Sequence, residues 1–551
     1  MHQLWDDFVE NVDPLTKLVH VPTLRPAFQK ALNDVESIPR GFEALIFAIL
    51  GAAIMSLKDE DCQHRYQESR RSILSRYASA TEAALSRAKF MATTSFVVLQ
   101  ALVLHLYSVR DIYEPRANWT LTGVAVRIAQ NMSLDRDGTV LGLSSFETEI
   151  RRRVWWQLKS HDFRTAELCG IAKFRDIDTG DDSTKWPSNI DDDDLRPGMS
   201  SIVAETKKLT DAAFVTFKFE MTKFAASRIA AFRKKGKHPS QWNLDTPDND
   251  EAELKSAVEE LESNLEMKYL RYCDPSQPLH LLLLLVGRYG MNVVTFLSHH
   301  PRRWATMEHI PQTERELVWD GSIKLLEQYN MMQSNPFIKR FAWHAPYFQQ
   351  WHAFIHVLDT LGAEPLRLDA SKTWQLVGSI YENTMEMLSD MKKPIHVAVG
   401  NLCLKGYSAR EVALSSSNMY TPPAPKFILQ LRQLREAAMA KRQVHSEKMD
   451  LAAKMRVHSI SVNQTSDILP ILQPQNGTTS QPPLVSQIDQ SVEVDPFYLC
   501  EDLNSQSIDT LDMDLGFPFP EDYSMDDVSL EPINWEQWDA WLADSNIMRA
   551  S

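Results

Sequence analysis

Only five cysteines occur in this 551-residue chain, at positions 62, 169, 273, 403 and 500, and no two are close in sequence. A binuclear zinc cluster bridges two tetrahedral metals with six thiolates drawn from a few tens of residues, so these residues build none. Cysteines this scattered read as small buried hydrophobes in a reducing compartment. Glycine is scarce as well, with only 18, which argues against a barrel or sandwich that turns tightly at every strand end. The sequence has no GxxxxGK[ST] or GxGxxG turn to cradle phosphates, and no HExxH or GxSxG to build a zinc or serine hydrolase. A basic surplus is also missing. The formal charge is −15, the wrong sign for a chain that coats nucleic acid. The first residues, MHQLWDDFVENVD, are acidic and lack the apolar core of a signal peptide. Of two apolar runs, Ala44–Leu57 is too short to span a bilayer, and Leu279–Leu297 contains His280, Arg288 and Asn292. Both are predicted to be buried core helices.

Helix formers and helical periods fill the rest of the chain. The pattern predicts helices over 1–57, interrupted by a loop at Pro22 and Pro26, and one long amphipathic helix over 85–110. Further helices are predicted over 205–235, 251–271, 279–298, 312–333, 346–362 and 372–391. No useful strand alternation or solenoid repeat emerges. The expected fold is therefore all-α: a large multi-helix body over 1–415. After the proline-rich break Thr421–Pro425, a basic helix or arm is predicted over 426–458. Residues 460–495, rich in Gln, Ser, Thr, Asn and Pro, have the composition of a disordered linker. Residues 496–551 hold thirteen acidic residues and one arginine, so most of the net charge sits there. Trp535, Trp538, Trp541 and Leu542 share one helical face in that segment. Acidic residues interleaved with aromatics suit an activation segment that docks in an apolar groove of a coactivator; the alternative is a terminal helix packed on the body.

The richest stretch is Leu121–Asp162, LTGVAVRIAQNMSLDRDGTVLGLSSFETEIRRRVWWQLKSHD. Val124, Ala125, Ile128, Ala129 and Met132 form an apolar stripe, and Asp135 to Gly138 read as a polar loop. Ser144 and Glu147 form a capping box for the next helix. On that helix Glu147 precedes Arg151, and Glu149 precedes Arg153, by the four residues that favour ion pairing. Residue by residue, the bland reading is a solvated, paired helix face.

Taken together, the string resembles the signature of the fungal-specific transcription factor domain, the middle homology region of binuclear zinc-cluster regulators. Other segments resemble it in the same order: Leu4–Pro22, Leu45–Cys62, Phe96–Tyr107, the loop Trp186–Leu195 and Tyr347–Pro365, together covering about residues 1–410. The resemblance implies an all-helical regulatory domain in a nuclear transcription regulator of a metabolic or biosynthetic pathway. It marks Arg127, Arg136, Glu149, Arg152, Arg153, Trp155, Trp156 and Asp162 as structural or regulatory residues, none of them catalytic. It also implies an N-terminal zinc cluster, which these residues lack. Zinc is expected only with a cysteine cluster upstream of Met1; without one, DNA is reached through a partner that carries the cluster. A small-molecule effector and dimerisation accord with the resemblance.

Other candidates remain weaker. His299 and His300, or His344, His352 and His356, offer metal donors without the spacing of a site. Asp191–Asp194 lacks the pattern of a calcium loop and reads as a solvated acidic loop. Arg233, Lys234, Lys235 and Lys237 suit either an import signal or a solvated helix end. The sequence thus favours a non-enzymatic nuclear regulator with an acidic activation tail. The alternative is a helical small-molecule sensor or inhibitory partner of a zinc-cluster regulator, with no DNA contact of its own.

Overall fold

The computed structural model describes residues 1–168, 183–199, 201, 209–234, 249–299, 312–348, 351–389 and 394–440. Among them the regular structure is helical, apart from one isolated antiparallel bridge between Arg136 and Ser183. Two compact units divide these residues, one running to Phe427 and the other starting at Ile428.

The first layer follows from where apolar side chains recur. α1 (His2–Asn11) buries Leu4, Trp5 and Phe8, the spacing of one helical face. The short α2 (Asp13–Thr16) leads into α3 (Val21–Asn33), whose Phe28 ring lies 4.4 Å from the Trp5 ring. The loop predicted at Pro22 and Pro26 is instead part of α3. Pro22 lies in the first turn, where a missing N–H costs no intrahelical bond, so only Pro26 forfeits one.

In α4 (Arg40–Ser56), every residue from Ala44 to Ser56 except Phe47 is buried. A helix apolar on all sides has to be surrounded, and α4 packs against α1, α6 (Arg70–Arg87) and α7 (Phe96–Ser108), after the short α5 (Asp59–Tyr66). The predicted single helix over 85–110 is broken. α6 stops at Arg87, Lys89 takes a left-handed conformation with φ 53°, and a short 3-10 turn precedes α7. α7 is not amphipathic either, since every residue from Val98 to Ser108 is buried.

α8 (Pro115–Asn131) and α9 (Ser145–Leu168) form the predicted hairpin. Proline at the start of α8 suits a first turn, and its Ala125, Ile128 and Ala129 face inward. The capping box forms as expected: the Ser144 amide donates to Glu147 Oε2 and the Glu147 amide donates to Ser144 Oγ, each at 3.2 Å. The connecting loop lies directly on α9. A Cβ at Gly138 would stand 2.9 Å from the Thr148 Cα, a backbone atom that cannot swing aside, so glycine is required there.

The second half contains α10 (Ala213–Lys234), α11 (Asn249–Lys268), α12 (Pro278–His299) and α13 (Gln312–Ser334), then a 3-10 stretch Pro336–Phe348, α14 (Trp351–Ala363), α15 (Ala370–Asn383), α16 (Glu386–Ser389) and α17 (Pro394–Ser416). α13 packs on α12, α14 and α15, while α14 packs on α17. Pro278–Phe296 is the one described helix long and apolar enough to cross a membrane. Leu282, Leu283, Val286, Tyr289 and Phe296 are nevertheless buried, so one side of it serves as core. The two halves of the body are tied by Trp343, whose indole N–H donates to the Asn11 carbonyl at 3.0 Å. Residues 426–440 are helical, and the rest of the arm predicted over 426–458 lies outside the described residues. The linker 460–495 and acidic segment 496–551 also lie outside them.

Candidate functional site

Five residues of α9 recur at helical spacing and all face inward: Glu149, Arg152, Arg153, Trp156 and Gln157. This is the position an apolar stripe would normally take. Most of it is charged or polar here, so every group needs a partner or it is costly to bury.

The partners come from the hairpin loop, the segment 183–199, the start of the chain and the beginning of α10. Asp137, fully buried in the hairpin loop, receives a bidentate pair of bonds from Arg152, at 2.8 and 2.9 Å. Thr139 and the Lys185 amide also donate to it. Burial opposes its charge, but these bonds outweigh burial and hold its carboxyl well below the usual range. Glu149, also fully buried, accepts from Arg153 Nε at 3.3 Å and from the Ser188 amide at 3.1 and 3.2 Å. Burial raises its pKa, with Arg153 opposing.

Asp192 is the shared node. Its Oδ1 accepts from Arg153 Nη1 at 2.5 Å and its Oδ2 from Lys17 Nζ at 2.8 Å. Its carbonyl lies 2.9 Å from His20 Nε2, and its amide donates to Asp211. Burial opposes the charge on Asp192, yet Arg153 and Lys17 hold its pKa below the ordinary value. Lys17 also reaches Asp13 and Asp211, each at 2.9 Å. Burial works against the Lys17 ammonium, but its three carboxylates keep it charged and raise its pKa. Lys17 sits in the left-handed region, with φ 46° and ψ 36°, at a cost of about 1–3 kcal/mol for a non-glycine residue. The three ion pairs of its side chain offset that strain.

Aromatic and amide contacts complete the clamp. Trp156 stacks on Trp186 with ring centroids 3.7 Å apart, and its indole donates to the Lys185 carbonyl at 2.9 Å. Gln157 donates to the Thr16 carbonyl and accepts from Lys218 Nζ at 2.6 Å. Burial lowers the Lys218 amine to about 7. The cluster holds more carboxylates than cations, and two atoms have no hydrogen-bond partner: Asp13 Oδ1 and Arg153 Nη2. Burial pushes the Asp13 carboxyl up to about 6, with Lys17 opposing and Asp192 reinforcing the rise.

Of the residues marked by the sequence, Glu149, Arg152, Arg153 and Trp156 meet in this cluster. Trp155 is buried with Lys159 over its ring at 5.8 Å, and Asp162 lies 3.9 Å from that lysine. Arg136 is exposed, its backbone forming the bridge to Ser183. Arg127 is exposed and lines a separate shallow cleft with Met91, Thr93 and Asn131. Trp535, Trp538, Trp541 and Leu542 lie outside the described residues. One sequence expectation is corrected: the Asp191–Asp194 loop is not simply solvated, because Asp192 is buried. The polar loop over Asp135 to Gly138 forms as expected, with Asp137 buried in it. Lys17, Asp13, Asp137, Asp192 and Asp211 were not singled out as site residues. The i,i+4 spacing of Asp13 and Lys17 was the available clue. His299 pairs with Glu314 at 2.7 Å.

Comparison with known proteins gives a family match. Residues 5–208 match the family described as the fungal specific transcription factor domain. The chain is 31% identical over 421 residues to the aurofusarin cluster transcription factor of Gibberella zeae, covering 76% of this chain and 62% of that protein. It is 29% identical over 448 residues to a pyriculol/pyriculariol biosynthesis cluster transcription factor of Pyricularia oryzae, covering 78% and 58%. Against a C6 finger domain transcription factor of Aspergillus fumigatus it is 27% identical over 399 residues, covering 65% and 51%. The chain thus spans about three fifths or less of the length of these curated relatives.

Two stability measurements test the cluster. Arg153→Met leaves buried Glu149 with the Ser188 amide but without its close cation, and Asp192 with Lys17 alone, and is expected to cost about 3–5 kcal/mol in urea denaturation. Arg127→Ala, at an exposed site, should stay within about 0.5 kcal/mol; equal costs for the two would contradict the geometry. The Asp13 carboxyl has a folded pKa above its unfolded value, so its charge penalises the fold above about pH 6 and the penalty fades as pH falls toward 4. Lys17 keeps two carboxylates without it. Asp13→Asn should therefore melt higher than the parent at pH 7.5 and lose that advantage by about pH 4.5; a lower melting temperature at pH 7.5 would reverse the sign of the argument.

Proposed function

We propose a regulatory role from one premise: residues 5–208 of this chain are a fungal specific transcription factor domain. On that premise the chain is a nuclear, non-enzymatic regulator of transcription that acts on genes of a secondary-metabolite pathway. One observation carries the reading. Similarity over about 420 residues links the chain to proteins named for the aurofusarin and pyriculol/pyriculariol clusters. The helical body is the regulatory part. The buried ion cluster supports this role, because it joins the first helices to the segment 183–199 through contacts distant in sequence, and such a joint holds one arrangement of elements.

Activation is assigned to the acidic segment 496–551, with Trp535, Trp538, Trp541 and Leu542 as the groups that dock on a coactivator. Sequence-specific DNA contact, with its zinc, belongs to a cysteine cluster outside these residues or to a partner that brings one. A small-molecule effector and a dimeric state accord with the same reading.

The test begins with residues 490–551 fused to a heterologous DNA-binding module. Reporter activation is expected, and Trp538→Ala with Trp541→Ala should abolish most of it without changing the melting of the full chain. An inert fusion would remove the activator assignment and favour a sensor or inhibitory partner. A fall in the melting temperature of the full chain would show the tryptophans to be core.

A further inference from the structure

Lys218 differs from the other cations of the clamp. Lys17, Arg152 and Arg153 each bind a carboxylate, whereas among the described residues none pairs with Lys218. Its Nζ bonds Gln157 Oε1 at 2.6 Å, and Gln157 is fully buried on α9, so the amine end sits inside although the residue as a whole is half-buried. The amide of Gln157 is fixed in its orientation. Its Nε2 donates to the Thr16 carbonyl, and the Tyr107 hydroxyl donates to Oε1 at 3.3 Å. The acceptor that meets Lys218 is therefore neutral.

The ionisable groups around the amine are basic. Arg110, in the turn after α7, acts with Lys218 on His161 of α9, and both act with Arg164 on His344 of the 3-10 stretch. Burial, reinforced by these cations, holds His161 at about 3 and His344 well below its ordinary value, so both rings are neutral. Arg110 and Arg164 donate to the carbonyls of Trp343 and Pro346. The other elements packed on α10 leave this balance unchanged. Asp13 of α2 is bound to Lys17, and Lys268 of α11 to Glu220. α12 approaches through Gly287 and Gly290, against Phe217 and Met221. An ammonium in this setting is desolvated and repelled, whereas an uncharged amine is neither.

We propose that Lys218 is a proton-operated latch between α9 and α10: as a neutral amine it seats against Gln157 and keeps the joint closed, and on acidification its ammonium loosens α10 from α9. Through Gln157 the same joint reaches the Thr16 carbonyl, so the latch also bears on the start of the chain. Burial lowers the amine from 10.5 to about 7. Between those values the opened chain takes up a proton that the closed one refuses, so the closed form loses stability steadily as pH falls from 10.5 toward 7. Below about 7 the closed form carries the ammonium and the full cost is in place. The inference does not rest on the transcriptional reading.

Hydrogen exchange of the full chain, read by mass spectrometry on the α10 peptides around Lys218 at about pH 6.5 and 8.5 and corrected for intrinsic rates, is the test. Protection of these amides is expected to be lower at the acid pH by more than about tenfold. Lys218→Met should keep α10 protected at both pH values, with at most the few-fold change that His161 and His344 supply as they titrate in the opened chain. Lys218→Arg stays charged at both, so its α10 should be poorly protected throughout, which separates the effect of charge from that of a lost contact. Equal protection of the parent at the two pH values, a pH dependence that survives Lys218→Met, or a Lys218→Arg chain as protected as the parent at pH 8.5 would overturn the proposal.

Discussion

Asp192 is bonded by Lys17 from one side and Arg153 from the other, and the arrangement of the body's first half depends on that double contact. The carboxylate stands on a short turn with no regular structure of its own beyond three residues. What fixes the turn is charge compensation in a dry environment, where each ion without its partner would be far costlier than on the surface. Lys17 then commits the start of the chain, and Arg153 commits the signature helix. Neighbouring contacts run the same way: Arg152 with Asp137, Glu149 with the Ser188 amide, and Trp156 against Trp186.

This explains why a three-arginine string belongs on a helix whose inner face would otherwise be apolar. Arg151 turns out and donates to the Met132 carbonyl, Arg152 grips the hairpin loop, and Arg153 grips the turn. A guanidinium suits these tasks because its planar fork serves a carboxylate in two bonds and stays charged when buried. An apolar core would hold the elements together, but charge pairing also fixes which residue faces which. For a domain read as regulatory, that specificity is the useful property.

Local chemistry was legible in the sequence, while distant pairing was not. The capping box at Ser144 and Glu147 lies within one turn, so reading it required no knowledge of the fold, and both bonds form. The buried run of α4 was equally plain. By contrast, Lys17 meets Asp192 across 175 residues, and nothing in the local pattern distinguishes Asp192 from its exposed neighbours Asp193 and Asp194. The run of acids and the collinear resemblance both drew attention to that loop, but neither picked out Asp192 within it. The break between α6 and α7 carries no proline or glycine to mark it: the chain turns at Lys89, a non-glycine residue in the left-handed region, within the mixed stretch Ser86–Ser95. Pro26 misled in the opposite direction, since one lost hydrogen bond did not end α3.

The most direct test of this account is a double-mutant cycle between Arg153 and Asp192, using Arg153→Met, Asp192→Asn and the combined variant, measured by urea denaturation of the full chain. If the pair anchors the turn, the two changes are strongly non-additive, with a coupling on the order of 2–3 kcal/mol. A coupling indistinguishable from zero would mean that the turn is held by its surroundings and that the ion pair merely accompanies it.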